Sequence, residues 1–377
     1  IVASMTELGF GLMRLPLMDP EDPTSVDIPQ LEAMVDAFLA SGFDYFDTAY
    51  LYHRGMSERV VRKVLSERHP RGSFRIASKM PLMSISVTED HERVFREQLD
   101  RCGIDRFDSY LVHNPCRGLY DTADRLGTFD FVRRLKEEGR VGRIGFSVHD
   151  DAEFLERLLE ENDDYDFVQL QINYLDWESP TIQSRECYEV ARRHHKPIVV
   201  MEPVKGGALA NVPESVREMF DEAEPGSTPA SWAMRFVAGL EGVETVLSGM
   251  SDMAQLEDNM RTMTDPRPLD AAGQETVRRA AGIIGGSAAI PCTSCGYCLE
   301  GCPMDIPISD YFQIYNSARM APAKGLQPQR FYYLNRSKGH GRASDCTGCG
   351  RCEAACPQHL PVREGLRDVA GLLERLV

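Results

Sequence analysis

The chain has 377 residues and a formal net charge of −16, and 42% of its residues are hydrophobic. These values describe a globular protein with one large or two smaller domains, and they exclude a collagen-like, coiled-coil or mostly disordered chain. No run of about 20 apolar residues occurs, so we expect no membrane-spanning helix. Nucleic acids and anionic membranes bind basic surfaces, so the acidic balance argues against both partners. The segment from Ile1 to Leu8 lacks the pattern of a signal peptide, which favours the cytoplasm.

Charge and cysteine content both change near Gly285 and Gly286. From residue 286 onward the chain carries a formal charge of +2, whereas the preceding part carries −18. Eight of the 11 cysteines fall between Cys292 and Cys356. We therefore predict two domains, residues 1–285 and residues 286–377.

The first predicted domain alternates short β-rich runs with amphipathic helical stretches. Several of the runs are nearly continuous apolar segments, which are typical of strands buried on both faces of a parallel sheet. The strand candidates are Glu7–Met13, Phe43–Asp47, Phe74–Lys79, Phe107–His113, Arg143–Ser147, Phe167–Ile172, Pro197–Glu202 and Thr245–Ser248. This count and size predict an α/β fold, a (β/α)8 TIM barrel. The alternative is a doubly wound open sheet, but no strand candidate is followed by a G-x-G-x-x-G motif.

Two helices of this domain have recognisable start signals. Asp27 precedes a helix predicted over Gln30–Ala40, with Pro29 in its first turn. Thr88 is expected to cap the next long helix with its hydroxyl group, ahead of two acidic residues.

Polar side chains occur at the ends of several strand candidates, where a barrel carries its functional groups. Asp47, Lys79 and His113 each end a strand candidate, and Tyr52 lies in the loop after Asp47. A phenol beside an ammonium that a carboxylate orients can transfer a proton to or from a carbonyl oxygen, and a neutral histidine can donate a hydrogen bond to that oxygen. The structural alternative is an Asp47–Lys79 ion pair beside a core histidine.

The first domain also resembles the aldo-keto reductases over its whole length. The matching stretches are GFGLMRLP from Gly9, GFDYFDTAYLYHRGMSE from Gly42, IASK ending at Lys79, YLVHNP around His113, GRIGFSVH from Gly142, FVQLQINY from Phe167 and VLSGMSDMAQLEDN from Val246. The resemblance implies a (β/α)8 barrel that moves a hydride between NAD(P)H and a carbonyl or alcohol. It also implies a small-molecule carbonyl or alcohol substrate.

The resemblance further implies roles for individual residues. Tyr52 would be the general acid and base, Lys79 and Asp47 the pair that tunes it, and His113 the residue that orients the substrate carbonyl. Ser147 and Gln169 match positions that hold the nicotinamide amide.

The remaining cofactor contacts depart from the family pattern. Met201 stands where an aromatic residue usually stacks on the nicotinamide. Gly249 and Gln255, aligned through Asn259, replace the Lys and Arg that grip the 2′-phosphate of NADPH, which favours NADH. The other candidate cofactor contacts are Met13, Arg14, Asn259 and, from the loop after the seventh strand candidate, Lys205. Lys205 is a candidate partner for a phosphate, and a solvated loop lysine is the alternative.

Two cysteine runs dominate the second domain. They are Cys292-x2-Cys295-x2-Cys298-x3-Cys302-Pro and Cys346-x2-Cys349-x2-Cys352-x3-Cys356-Pro. Each run has the bacterial ferredoxin spacing for a [4Fe–4S] cluster, in which the fourth cysteine ligates the other cluster. A zinc site would want two C-x2-C pairs about 12–20 residues apart, and disulfides would want an oxidising compartment. We therefore predict two [4Fe–4S] clusters.

The second domain is predicted to be small and mainly α-helical, and it resembles the helical ferredoxin modules of anaerobic oxidoreductases. Helices are predicted over Tyr311–Met320, capped by Ser309, and over Val362–Val377, with Leu366, Val369, Leu373 and Leu376 on one face. The Phe331-Tyr332-Tyr333 run is expected to pack in a core, and shielding a cluster or docking on the barrel are the alternatives.

Together these patterns predict an iron–sulfur oxidoreductase of the aldo-keto reductase type, from an anaerobe, with clusters for electron transfer. A ferredoxin or another redox protein is a candidate partner. Two alternatives stay open: a ferredoxin- or flavin-linked reductase without nicotinamide, and an electron-transfer module with a structural barrel.

Overall fold

The computed structural model describes residues 6–20, 22–180, 182–286, 289–290, 292, 296, 298–299, 301–320, 326–356 and 360–374. Eight parallel strands follow one another in chain order and close into a barrel, because the first strand also pairs with the last. The strands are Glu7–Gly11 (β1), Tyr45–Asp47 (β2), Arg75–Pro81 (β3), Phe107–His113 (β4), Val141–Val148 (β5), Phe167–Gln171 (β6), Ile198–Met201 (β7) and Val243–Gly249 (β8). The predicted TIM-type barrel is confirmed.

One set of helices surrounds the barrel, and the helices that follow the barrel in the chain form a separate group. Those of the barrel region are Ile28–Ala40 (α1), Met56–Val61 (α2), Glu89–Cys102 (α3), Arg117–Arg125 (α4), Thr128–Glu137 (α5), Ala152–Glu161 (α6), Ser184–Arg193 (α7), Glu214–Ala223 (α8), Pro229–Ala238 (α9), Met253–Thr264 (α10) and Ala271–Gly285 (α11). Those of the C-terminal region are Ile308–Met320 (α12), Gln327–Arg336 (α13), Arg351–Ala355 (α14) and Val362–Leu373 (α15). Among the helices described here, none has the length and apolarity needed to cross a bilayer.

Each strand candidate corresponds to one observed strand, and each observed end lies within two residues of its predicted position. The Asp27 cap of α1 is also confirmed, because its carboxylate accepts a hydrogen bond from the Gln30 amide at 3.1 Å. The Thr88 cap is wrong: this residue has helical backbone angles, and its side chain makes no capping hydrogen bond. The Asp90 carboxylate instead accepts the amide hydrogens of Ser86 and Val87, at 2.9 and 3.1 Å.

Apolar side chains fill the inside of the barrel, so the fold has no open channel in this layer. The buried interior residues come from six strands: Tyr45, Ala77, Leu111, Phe167, Val199 and Leu247. A side chain at Gly145 would meet the Phe167 ring at 2.8 Å, so this glycine leaves room for the ring. A packed interior fixes the strand ends above it, and truncating Phe167 to alanine would cost about 3–5 kcal/mol.

The C-terminal helices have their own hydrophobic core. Tyr311 of α12 and Tyr333 of α13 pack with ring centroids 4.5 Å apart. The predicted apolar face of the last helix is confirmed for Leu366, Val369 and Leu373, which are buried in this core, whereas Leu376 lies outside the described residues. The helix predicted from Tyr311 begins earlier, at Ile308, so Ser309 is a buried helical residue and does not cap it.

Candidate active site and cluster site

The four predicted catalytic residues come together at the C-terminal end of the barrel. Asp47, Lys79 and His113 lie at or near the C-terminal ends of β2, β3 and β4, and Tyr52 follows β2 in a short helical turn. The Lys79 ammonium donates to Asp47 Oδ1 at 2.6 Å and lies 5.0 Å from the centre of the Tyr52 ring. The Tyr52 and His113 rings are edge to face, with centroids 6.0 Å apart. The geometry therefore joins all four side chains in one contiguous group.

The charge state of Lys79 depends on its partner. The side chain is fully buried, and burial alone would lower the pKa of this ammonium. The Asp47 carboxylate at 2.6 Å and the Tyr52 phenol together outweigh burial and raise the pKa of Lys79 above its ordinary value, so the ammonium stays charged. The backbone oxygen of Thr48 accepts a second hydrogen bond from it at 2.8 Å. This buried cation is held in one place by two oxygen acceptors.

Burial shifts the pKa values of Tyr52 and His113 in opposite directions, and it leaves both side chains neutral. Burial raises the pKa of the Tyr52 phenol, and the nearby Lys79 ammonium only partly offsets this. The phenol therefore keeps its proton at neutral pH and is available as an acid. Burial, together with the charge of Lys79, holds the pKa of His113 well below its ordinary value. Its imidazole is therefore neutral and can donate one hydrogen bond without carrying a charge.

The two residues predicted to hold a nicotinamide amide lie side by side on β5 and β6. Ser147 and Gln169 are paired in register and are both 2% exposed. The Ser147 hydroxyl donates only a weak hydrogen bond to the Met201 sulfur at 3.9 Å. The Gln169 Oε1 atom has no hydrogen-bond partner among the described residues. A buried acceptor without a partner is costly, so this oxygen fits a ligand that donates a hydrogen, such as a carboxamide.

The predicted contacts on the phosphate side form a second group around β1 and β8. Arg14 lies against Gly249 and makes a 2.7 Å salt bridge to Glu202, yet its Nε atom has no hydrogen-bond partner among the described residues. Gln255 uses its amide to hold the start of α10, where it bonds Ser251 and Asp252.

Two further predicted contacts have different surroundings. Asn259 donates to Ser248 Oγ at 2.8 Å and thereby ties α10 to β8. Met13 lies half-buried in the loop after β1. Neither side chain carries a charge. Among the predicted contacts around β1 and β8, Arg14 is therefore the cationic candidate for binding an anionic ligand.

Lys205, the predicted partner of a cofactor phosphate, lies in a buried ion pair. This lysine is 1% exposed, and its ammonium makes an ion pair with the Asp176 carboxylate. That carboxylate also accepts hydrogen bonds from Gln171 and Asn173, both at 2.8 Å. Lys205 is therefore not the solvated loop residue of the alternative interpretation, and its pairing with a cofactor phosphate stays a prediction.

A helix of the C-terminal region lies over this end of the barrel. Phe331 of α13 stacks on His149 at 5.6 Å and reaches His113 at 6.1 Å, and Tyr332 packs edge-on against His149 at 5.4 Å. Phe331 and Tyr332 therefore dock on the barrel, one of the sequence-based alternatives, and the expected core packing is confirmed for Tyr332 and Tyr333, which belong to the C-terminal core. His149 was missed by the sequence analysis, although a polar residue directly after a buried strand was a signal for it.

Four of the predicted cluster ligands line one recess. Cys302 from the first run lines this recess together with Cys346, Cys349 and Cys352 from the second run, and the recess is open to solvent. This is the set of three cysteines plus one from the other run that a cross-ligated [4Fe–4S] cluster requires. Backbone donors fit a thiolate: the Arg351 amide lowers the pKa of Cys349, and the Ile306 amide contacts the Cys302 sulfur at 3.5 Å.

The other predicted cluster ligands are described less fully. Cys292, Cys298 and Cys356 are half-buried beside the C-terminal core, and Cys295 lies outside the described residues. The three cysteines outside the motifs, Cys102, Cys116 and Cys187, are buried in the barrel region, and burial raises the pKa of the Cys116 thiol to about 11.

Comparison with known proteins finds a matching family model for each of the two parts of the chain. The model of the aldo/keto reductase family matches residues 7–278, and the model of the 4Fe-4S dicluster domain matches residues 291–360. An aldo-keto reductase of Mycobacterium avium (strain 104) is 27% identical over 259 residues, which cover 68% of this chain and 80% of that protein. One from Mycobacterium sp. (strain KMS) is 30% identical over 146 residues, 38% of this chain and 46% of that protein.

Solved structures show the same barrel. An aldo-keto reductase from Bacillus halodurans in its holo form has a TM-score of 0.58 at 22% identity, covering 73% of this chain and 91% of its own. One from Klebsiella pneumoniae in complex with NADPH has a TM-score of 0.58 at 18% identity, covering 74% and 95%. The family model spans well over half of the sequence, so the chain belongs to the aldo/keto reductase family and is an oxidoreductase that also carries a 4Fe-4S dicluster domain.

Proposed function

We propose that this oxidoreductase interconverts a small carbonyl compound and its alcohol with NAD(P)H. One observation carries the proposal: a buried ammonium, held by Asp47 at 2.6 Å, lies against the face of Tyr52, whose edge meets a neutral His113. An acid, a group that stabilises its anion and a hydrogen-bond donor are the parts that carbonyl reduction needs. All three lie at the barrel end where catalytic groups belong.

Each residue has a separate task in this proposal. His113 donates a hydrogen bond that orients the carbonyl oxygen. Tyr52 transfers its phenolic proton to that oxygen as the carbonyl becomes an alcohol. The Lys79 ammonium stabilises the resulting phenolate, and Asp47 keeps Lys79 charged and in position. In the reverse direction the same phenolate accepts the proton of the alcohol.

The residues at the ends of β5, β6 and β1 fit a nicotinamide dinucleotide. The unpartnered Oε1 of Gln169 would accept a hydrogen from the carboxamide, with Ser147 beside it. Arg14 would contact the pyrophosphate. When bound, the cofactor supplies the hydride. The NADPH complex of the Klebsiella pneumoniae relative supports a nicotinamide cofactor. Positions 249 and 255 carry Gly and Gln, not the Lys and Arg that grip a 2′-phosphate in the family pattern, which favours NADH.

We also propose two [4Fe–4S] clusters with exchanged fourth ligands. One would use Cys346, Cys349, Cys352 and Cys302, which line a common recess. The other would use Cys292, Cys295, Cys298 and Cys356. When bound, the clusters supply one-electron transfer.

Exposure of one cysteine favours a second candidate function, reduction of the substrate by electrons from a redox protein. Cys349 is exposed at the rim of the recess, so a ferredoxin-like partner can approach this edge. A reductase linked to ferredoxin or flavin, without nicotinamide, is the form this candidate takes. The C-terminal region also contacts the barrel mouth through Phe331. In this candidate, electrons from the clusters would therefore serve the same substrate pocket that nicotinamide serves in the first candidate.

An anaerobic assay separates the two candidates. Purified holoprotein is mixed with a panel of aldehydes and ketones and either NADH, NADPH or dithionite-reduced ferredoxin, and the alcohol products are measured. Alcohol formed with a nicotinamide alone supports the first proposal. Alcohol formed only with reduced ferredoxin supports the second, and no alcohol from any donor would contradict both.

A further inference from the structure

His149 is a buried polar residue at the barrel mouth that the proposed chemistry does not use. It follows β5 and is 5% exposed, and its Nδ1 atom has no hydrogen-bond partner among the residues that the structure describes. A buried ring nitrogen without a partner is costly in a folded protein. Such an atom at the mouth of a catalytic barrel indicates a ligand that completes its hydrogen bonding.

The surroundings of His149 connect it to the proposed catalytic group. Phe331 stacks on its ring at 5.6 Å with an interplanar angle of 23°, and the same Phe331 reaches His113 at 6.1 Å. His113 ends β4 opposite Ser147, and His149 comes two residues after Ser147, directly beyond the neighbouring strand β5; paired strands are about 4.8 Å apart in a sheet. Phe331 thus forms a wall shared by both imidazoles, and the ligand of one lies beside the ligand of the other.

Charge and hydrogen-bond capacity define the group that fits. Burial and the charge of Lys79 lower the pKa of His149 to about 3, so its ring is neutral, with one donor and one acceptor nitrogen. A hydroxyl group can donate and accept, so it satisfies Nδ1 in either tautomer. A carboxylate fits less well, because it only accepts hydrogen bonds and therefore pairs with Nδ1 in one tautomer alone.

We propose that His149 is a specificity-determining residue that binds a neutral hydroxyl group on the carbon next to the substrate carbonyl. The preferred substrates are therefore α-hydroxy aldehydes and α-hydroxy ketones. His113 holds the carbonyl oxygen, His149 holds the adjacent hydroxyl, and Phe331 from the C-terminal region closes the pocket over both. This inference rests on the proposed carbonyl reduction for its choice of substrate, but its test measures binding.

The test compares two probes that differ by one hydroxyl group, 1-hydroxy-2-butanone and 2-butanone. Their dissociation constants are measured by ligand-observed NMR with anaerobic full-length holoprotein, without nicotinamide. Wild type should bind the hydroxy ketone about tenfold more tightly, which is the size of one good hydrogen bond. His149→Phe keeps a ring against Phe331 but removes both nitrogens, so the ratio should fall to about one.

The ratio of the two dissociation constants controls for a general loosening of the pocket, because such loosening would weaken the binding of both probes alike. His149→Asn keeps hydrogen-bonding capacity and should retain part of the preference, and it replaces the Phe variant if that protein does not fold. An equal ratio in wild type and His149→Phe, or no preference in wild type, overturns the inference. If both probes bind as expected but no carbonyl is reduced by NAD(P)H, the proposed function fails while this assignment of His149 stands.

Discussion

Asn114 and Asn335 are joined by two reciprocal amide hydrogen bonds, 3.2 and 3.0 Å long, across the contact between the barrel and the C-terminal region. Asn335 also donates to the backbone oxygen of His149 at 2.8 Å. Asn114 directly follows His113 and has a positive φ of 55°, a conformation that asparagine tolerates better than most residues. The helix that carries Phe331 is therefore anchored to the two strand ends that bear the histidines.

We expect Asn335→Ala to loosen this anchor. The change leaves the buried Asn114 amide and the His149 oxygen without a partner, so stability should fall by about 1–3 kcal/mol. Hydrogen exchange should increase in α13. The matched control is Asn316→Ala, because Asn316 bonds the Ile290 backbone within the C-terminal region, at 2.9 and 2.7 Å. If the two variants change exchange in α13 equally, the anchor is not specific to Asn335.

The barrel and the positions of the proposed catalytic residues could be predicted from the sequence because both depend on local patterns. Buried strands are nearly continuous apolar runs, and Asp47, Lys79 and His113 follow directly from where those runs end. Closure of the barrel then brings the strand ends together, whatever the packing details. The cysteine runs are equally local, since a cluster fixes the spacing of its ligands.

The errors concern features that depend on distant partners. The sequence places Lys205 in a loop, where a solvated cation was one expectation, but the fold brings Asp176 beside it. The sequence predicts Thr88 as the N-cap, but the Asp90 carboxylate accepts the backbone amide hydrogens that precede the helix, and Thr88 itself has helical backbone angles. The contact of Phe331 with His149 joins residues far apart in sequence, so periodicity could not distinguish it from ordinary core packing.

Acid should destabilise the protein in part through His149, one of its buried neutral histidines. The pKa of His149 is lowered from an ordinary 6.5 to about 3 in the folded state, so the unfolded chain binds the extra proton between these values. Its contribution to stability is complete above pH 6.5 and is lost as the pH falls toward 3, at up to about 1.4 kcal/mol per pH unit. Thermal midpoints between pH 7.5 and 4.5 should therefore fall less steeply in His149→Phe than in wild type.

Tyr332→Phe is the control for this pH experiment, because it removes a hydroxyl group but keeps the ring that packs on His149. It should retain the wild-type slope. Parallel slopes for wild type and His149→Phe would mean that this imidazole does not titrate on unfolding as described.

Replacing one cysteine of the first run should affect the cluster of the second run. Cys302→Ala removes a ligand from the recess formed with Cys346, Cys349 and Cys352. Iron in anaerobically prepared protein should fall from about eight to about four per chain, because each cubane holds four irons. Cys346→Ala should give the same loss and the same electron paramagnetic resonance spectrum after reduction.

The control for the cluster experiment is Cys187→Ala, which changes a buried cysteine of the barrel region. It should leave iron content unchanged. If Cys302→Ala and Cys346→Ala lose spectroscopically different clusters, the proposed exchange of the fourth ligand is wrong.

The central claim is that Tyr52 protonates the carbonyl oxygen, and a single-turnover comparison of two tyrosine variants tests it most directly. Tyr52→Phe removes the proton donor, whereas Tyr50→Phe changes a tyrosine of the same loop whose hydroxyl group instead donates to Glu97 at 3.0 Å. Nicotinamide oxidation by a carbonyl substrate is followed anaerobically by stopped flow. We expect Tyr52→Phe to lose about 10²–10⁴-fold in rate with little change in substrate binding, and Tyr50→Phe to remain near wild type. A Tyr52→Phe rate equal to that of wild type would contradict the account.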